Sequence, residues 1–115
     1  VRSSAASDVY KRQLAYTSFD TPTRIFTLNR VELQIEGTIH PTQKPVELCE
    51  YLIRTYTRPG EVVADICAGS GTTAVAAVNT GRRFVCFETA PAFYAPATER
   101  IRLATEAVKA GQKGV

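Results

Sequence analysis

"DICAGSGTT", residues 65–73, decides how the rest of the chain reads. An acidic residue, two glycines and two threonines stand where an apolar strand stops and a small-residue helix starts. Glycines let a backbone turn sharply and approach a ligand closely, and the first amides of a following helix offer hydrogen bonds. Just upstream, "EVVADI" (61–66) has the look of a short buried strand from a parallel sheet. Just downstream, "TTAVAAVNT" (72–80) reads as a tightly packing helix that Gly81 stops. "RRFVCFE" (82–88) reads as a second buried strand.

Further out, a helix is expected from Pro45: proline suits a first helical position, Glu47 lies in the first turn, and Cys49, Leu52, Ile53 and Tyr56 form an apolar stripe. "RPG" (58–60) ends it. Residues 91–111 are expected to be mostly helix, with Ile101, Ala104, Thr105 and Val108 on one side. Pro96 is the misfit there and predicts a kink or a late helix start. "RIFTLNRVELQI" (24–35) suits an extended segment or hairpin, and "EGTIHPTQKP" (36–45) a loop.

Helix, strand, glycine loop, helix, strand, helix is the βαβ pattern of a doubly wound α/β sheet. Ligands in such sheets bind beyond the carboxyl ends of the strands, where Asp65 to Gly71 and Glu88 should fall. Glu88 ends the second strand, 17 residues after Gly71, and a carboxylate there can accept hydrogen bonds from both hydroxyls of an adenosine ribose. "GSGTTA" also satisfies the dinucleotide pattern G-x-G-x-x-G/A. Asp65 argues against a dinucleotide, because its charge would repel a pyrophosphate and attract the ammonium of an amino acid. Adenosine at one end and a zwitterionic methionine at the other describe S-adenosylmethionine. Plainer readings stand beside this one: a tight-turn glycine loop, a capping aspartate and a solvated strand-end glutamate.

Composition sets the frame. The chain has 115 residues, 44% hydrophobic and 22% charged, enough for one domain with a single core. No apolar run is long enough to span a bilayer, no signal-peptide pattern opens the chain, and a cytoplasmic protein is the default expectation. Cys49, Cys67 and Cys86 are far apart, with neither a CxxC pair nor a clustered histidine, so neither zinc nor a disulfide framework is suggested. The net charge is +3. Residues 1–13 carry Arg2, Lys11 and Arg12 against Asp8, which is +2 of that total and leaves +1 for the rest. Residues 3–13, "SSAASDVYKRQ", resemble a translated sequencing adapter, so 1–13 are expected to be a non-native or disordered leader on an assembled gene fragment.

From "HPTQKP" (40–45) through "DICAGSGTT" to Glu88, the chain resembles the amino-group DNA methyltransferases, the adenine-N6 and cytosine-N4 enzymes, in the permuted order with the cofactor half last. The resemblance runs from about His40 to Ile101, with "HPTQKP" and the glycine loop as a specific pair. It implies a partial doubly wound, Rossmann-like S-adenosylmethionine-dependent methyltransferase fold. Thr42, Gln43 and Lys44 would belong to a loop closing over the methionine part of the cofactor. Asp65, Cys67, Gly69, Ser70, Gly71 and Thr72 would form the cofactor loop, and Glu88 would hold the ribose. Residues 40–115 would then be the cofactor-binding half-domain and 14–39 a remnant of the catalytic and target-recognition half.

Departures from the family pattern narrow these implications. Ile66 and Cys67 stand where the family often has Pro-Phe, and Ala90 where an aspartate usually precedes the proline. Phe93 and Tyr94 keep the aromatic character. The family's acidic-Pro-Pro-aromatic motif, which holds a flipped base and its exocyclic amine, has no counterpart, since no Pro-Pro pair occurs in the chain. No catalytic residue and no metal ligand is therefore assigned. The whole protein is expected to methylate an adenine amine, ahead of a cytosine amine, in double-stranded DNA that it contacts through the absent half. The fragment alone is expected to be inactive, to bind cofactor weakly and, with an exposed strand edge, to aggregate. A nicotinamide-dependent oxidoreductase fragment and a non-catalytic, degenerate methyltransferase module remain as alternatives.

Overall fold

The computed structural model describes residues 15–27 and 43–111. The chain divides into two compact units, Val1–Gly37 and Thr38–Val115. In the first, residues 15–27 have no helix or strand, and the Phe19 amide donates to Thr17 Oγ1 at 3.1 Å. The extended segment expected at 24–35 is thus not a strand over 24–27, and its remainder lies outside the described residues, as do the leader and Thr42.

In the second unit the order is α1 (Val46–Tyr56), β1 (Val62–Asp65), α2 (Thr72–Asn79), β2 (Arg83–Cys86) and α3 (Pro91–Lys109). β1 and β2 pair in parallel, with Val62 opposite Arg83 and Asp65 opposite Cys86. α2 connects them, so these elements form the expected βαβ unit. α1 begins one residue later than expected, with Pro45 at its N-cap. Gly81, at φ +72°, stops α2 as its sequence position predicts. α3 takes Pro91 at its start and continues through Pro96, so the late start is overturned. The hydrogen bond that Pro96 cannot make would have gone to the Ala92 carbonyl, and both residues are exposed, which lets water take the carbonyl instead.

α2 contacts every other element of the unit. Ala74, Ala76 and Ala77 are fully buried, and small side chains are what allow neighbours to close on both sides of this helix. The core joins Val46 and Ile53 of α1 to Val75, Ala76 and Ala77, with Cys49, Val63, Ile101 and Ala104 packed on its margin. The α1 face is not the purely apolar stripe expected. Glu50 is buried there, accepting a 2.8 Å hydrogen bond from Asn79 Nδ2. A second buried polar tie comes from Arg82. Its guanidinium donates to Thr57 Oγ1, the Thr57 carbonyl and the Thr80 carbonyl at 3.0, 2.8 and 2.7 Å. It thereby satisfies the C-cap residues of α1 and α2 at once.

Neither strand is buried as expected. Val62 and Val85 are 49% and 47% exposed, and only Val63, Asp65 and Cys86 are half-covered. A strand is buried on both faces only when helices cover both. Here α1 and α3 pack chiefly on α2, so one face of the two described strands stays open.

Two substitutions probe this framework in urea or thermal unfolding. Gly71 has φ +80°, and an added Cβ would lie 3.2 Å from Ala97 Cβ and 3.3 Å from Ile101 Cδ1. Gly71→Ala should therefore cost at least about 1–3 kcal/mol; an unchanged midpoint would contradict the close packing. Arg82→Met should cost about 1.5–3 kcal/mol by leaving buried carbonyls without their charged donor.

Candidate functional site

The carboxyl ends of β1 and β2 open onto the loops at 66–71 and 87–90. Backbone bonds set their course. The Phe87 amide reaches the Asp65 carbonyl at 2.9 Å, the Ala68 amide the Phe87 carbonyl at 2.8 Å, and the Gly71 amide the Ala68 carbonyl at 2.9 Å. These bonds fold the glycine loop back over the ends of both strands.

Two carboxylates hold the loop from beneath. Asp65 Oδ1 accepts the Cys67 amide at 2.9 Å and Oδ2 accepts the Thr73 hydroxyl at 2.7 Å, spanning the loop from its start to the first turn of α2. Glu88 Oε1 accepts the Gly69 amide and Oε2 the Ala90 amide, both at 2.7 Å. A carboxylate can accept several hydrogen bonds at once, through about four lone-pair positions.

Together these segments line an open cavity of about 330 Å³, at the small end of the range for small-molecule sites. Its walls are Gln43, Lys44, Cys49, Asp65, Cys67, Ala68, Gly69, Ser70, Thr72, Thr73 and Glu88. Of the residues singled out in the sequence, Gln43, Lys44, Asp65, Cys67, Gly69, Ser70, Thr72 and Glu88 converge here. Gly71 does not; it faces Ala97 and Ile101 of α3. Cys49, Ala68 and Thr73 line the cavity without having been anticipated. Thr73 was legible in principle, as a hydroxyl eight residues after an aspartate across a strand–loop–helix turn. Cys49 was read only as part of an apolar stripe.

The electrostatics at the strand ends are read by Cys86, the register partner of Asp65. Burial pushes its thiol above the ordinary cysteine value, and the Asp65 carboxylate adds to the rise. Among the described residues no group of three or more His, Cys, Asp or Glu side chains could hold a metal ion. No helix among them is long and apolar enough to cross a membrane.

A family model described as "DNA methylase" matches residues 4–99. Among curated proteins of Escherichia coli (strain K12), "Putative methylase YubD" is 38% identical over 72 residues, which are 63% of this chain and 32% of the relative. "DNA adenine methyltransferase YhdJ" is 38% identical over 74 residues, 64% of this chain and 25% of that one. The chain thus spans about a third or less of the length of these relatives. Among solved structures, that of the M1.HpyAVI–SAM complex superposes with a TM-score of 0.56 at 28% identity, covering 81% of this chain and 43% of that one. The PvuII cytosine-N4-specific DNA methyltransferase gives a TM-score of 0.52 at 27% identity, covering 70% and 33%. The likeness supports the methyltransferase form of the Rossmann-like fold for the partial α/β unit described above.

The thiols offer a direct check on the cavity mouth. Cys67 is exposed and Cys86 half-buried with its pKa raised, so iodoacetamide near pH 8 should alkylate Cys67 at least about threefold faster than Cys86. Peptide mapping of a time course gives both rates, and equal rates would contradict the environment assigned to Cys86.

Proposed function

The chain belongs to the DNA methylase family of N6 and N4 amino-group enzymes, and from that membership we propose that its cavity is an S-adenosylmethionine site. In this reading the whole protein methylates the exocyclic amine of adenine, ahead of cytosine, in double-stranded DNA. Residues 40–115 are its cofactor half and 14–39 part of the half that catalyses and recognises the target.

The observation that carries the reading is the pairing of Asp65 and Glu88 around one glycine loop. The donor set fits the group. The Glu88 carboxylate suits the two hydroxyls of a ribose, as expected for a strand-end carboxylate of this fold. Asp65, at the other end of the loop, suits an ammonium. Neither carboxylate suits a pyrophosphate, which disfavours a dinucleotide. Gln43 and Lys44 form the facing wall, as the resemblance of "HPTQKP" implies. When bound, S-adenosylmethionine supplies a methyl group on a positively charged sulfur, open to attack by an amine. The residues of this chain hold and orient it. The acidic-Pro-Pro-aromatic motif that would present the amine is not in the sequence.

The reading predicts measurable binding of S-adenosylmethionine to the 115-residue chain by titration calorimetry. Asp65→Ala and Glu88→Ala should each weaken it by about tenfold or more, the loss of one charge-assisted interaction. Thermal melts of both variants separate lost contacts from lost folding. No methyl should pass to duplex DNA from this chain alone. Tight NADH binding without S-adenosylmethionine binding would instead support the oxidoreductase alternative, and affinity unchanged in both variants would support a non-catalytic module.

A further inference from the structure

The glycine loop is tied to two segments remote from it in sequence, and one side chain stands at the junction. Arg100, on α3, directs a single guanidinium nitrogen, Nη1, to Thr72 Oγ1 at 2.9 Å and to the hydroxyl and carbonyl oxygens of Ser70, both at 3.3 Å. Thr72 Oγ1 donates to the Lys44 carbonyl at 3.1 Å and stands 3.3 Å from Ser70 Oγ.

The proton count fixes the direction of this set. Thr72 has one hydroxyl hydrogen and directs it to Lys44, so towards Arg100 and Ser70 it can only accept. Arginine is always charged and only donates. The Ser70 hydroxyl therefore donates to Thr72 and accepts from Arg100. Ser70 and Thr72 are 3% and 5% exposed, so little water competes, and bonds from a charged donor are about twice as strong as neutral ones. Ser70, Thr72 and Lys44 line the cavity, whereas Arg100 stands behind them.

We infer that Arg100 is a positioning residue for the cavity: through Ser70 and Thr72 it fixes the glycine loop against the Gln43–Lys44 wall, so that the two walls keep one spacing. Its consequence for affinity rests on the reading of the cavity as an S-adenosylmethionine site. The coupling of the walls does not.

Nuclear magnetic resonance on the 115-residue chain tests both parts. Arg100→Ala and Thr72→Val should each shift the Lys44 carbonyl ¹³C resonance and speed hydrogen exchange at the Gly71 and Val75 amides by about fivefold or more. The double variant should show no more than the larger single effect. The Arg83 and Phe87 amides, which bond to Glu61 and Asp65 across the sheet, should exchange as before. Arg102→Ala, on the exposed side of α3, should change none of these signals. If Arg100→Ala does not fold, Arg100→Lys, which keeps the charge but loses the guanidinium, carries the same test. Additive effects or an unmoved Lys44 resonance would overturn the inference. In calorimetry Arg100→Ala should weaken S-adenosylmethionine about tenfold, and unchanged affinity with broken coupling would also overturn it. Coupled walls in a parent chain that binds no S-adenosylmethionine would defeat the proposed function and leave the coupling of the walls standing.

Discussion

The C-terminal unit depends on the close passage of Gly71 over α3. Its backbone lies so near Ala97 and Ile101 that a β-carbon would meet both within 3.3 Å. Its left-handed conformation turns the chain from the loop straight into α2. Because α2 begins at the next residue, this contact sets where the helix lies. Every other element of the unit packs against that helix. A glycine read from sequence as part of a ligand loop thus acts through packing, and the cavity takes its place as a consequence.

Asp65 and Glu88 show how one carboxylate can serve both fold and function. The sequence left Asp65 as a capping or turn aspartate or a ligand-holding one, and Glu88 as a solvated strand-end carboxylate or a ligand-holding one. In the structure Asp65 binds the Cys67 amide and the Thr73 hydroxyl, which is the turn-forming role. The half-buried Glu88 binds the Gly69 amide of the glycine loop and the Ala90 amide of its own, and is more than a solvated strand end. A carboxylate can accept several hydrogen bonds at once. A loop already held in place by its own acids has less freedom to lose when a ligand arrives, which lowers the entropic cost of binding. Pre-organisation and ligand recognition therefore favour the same side chains at the same strand ends.

What was legible in the sequence was local. "EVVADI", the glycine loop, "TTAVAAVNT" and Gly81 each carry their signal within a few residues, and the βαβ order comes from them. Eight of the ten residues singled out line one cavity because this topology brings the ends of adjacent parallel strands together. Burial was not legible in the same way. Val62 and Val85 have the side chains of inner-strand residues, but their exposure depends on what covers the second face, which no strand encodes. Glu50 was hidden because an apolar stripe search passes over an acid, and its partner Asn79 lies 29 residues away. Arg100 and Arg82 were hidden for the same reason: their acceptors are backbone and hydroxyl oxygens, which leave no charge pattern to find.

The acids at the strand ends also bear on the sign of the ligand. Cys86 lies opposite Asp65 in the parallel register, and the carboxylate adds to the rise that burial imposes on its thiol. Burial is the larger cause of that rise, and the Asp65 carboxylate is the charged group beside the thiol. Glu88 adds a second acid to the cavity wall, with Lys44 on the facing segment. Two carboxylates repel a pyrophosphate, whereas they attract an ammonium or a sulfonium. The glycine loop alone admits either class of ligand. Under the proposed function the Asp65 carboxylate weighs for the cationic methyl donor and against the dinucleotide whose motif the loop also satisfies.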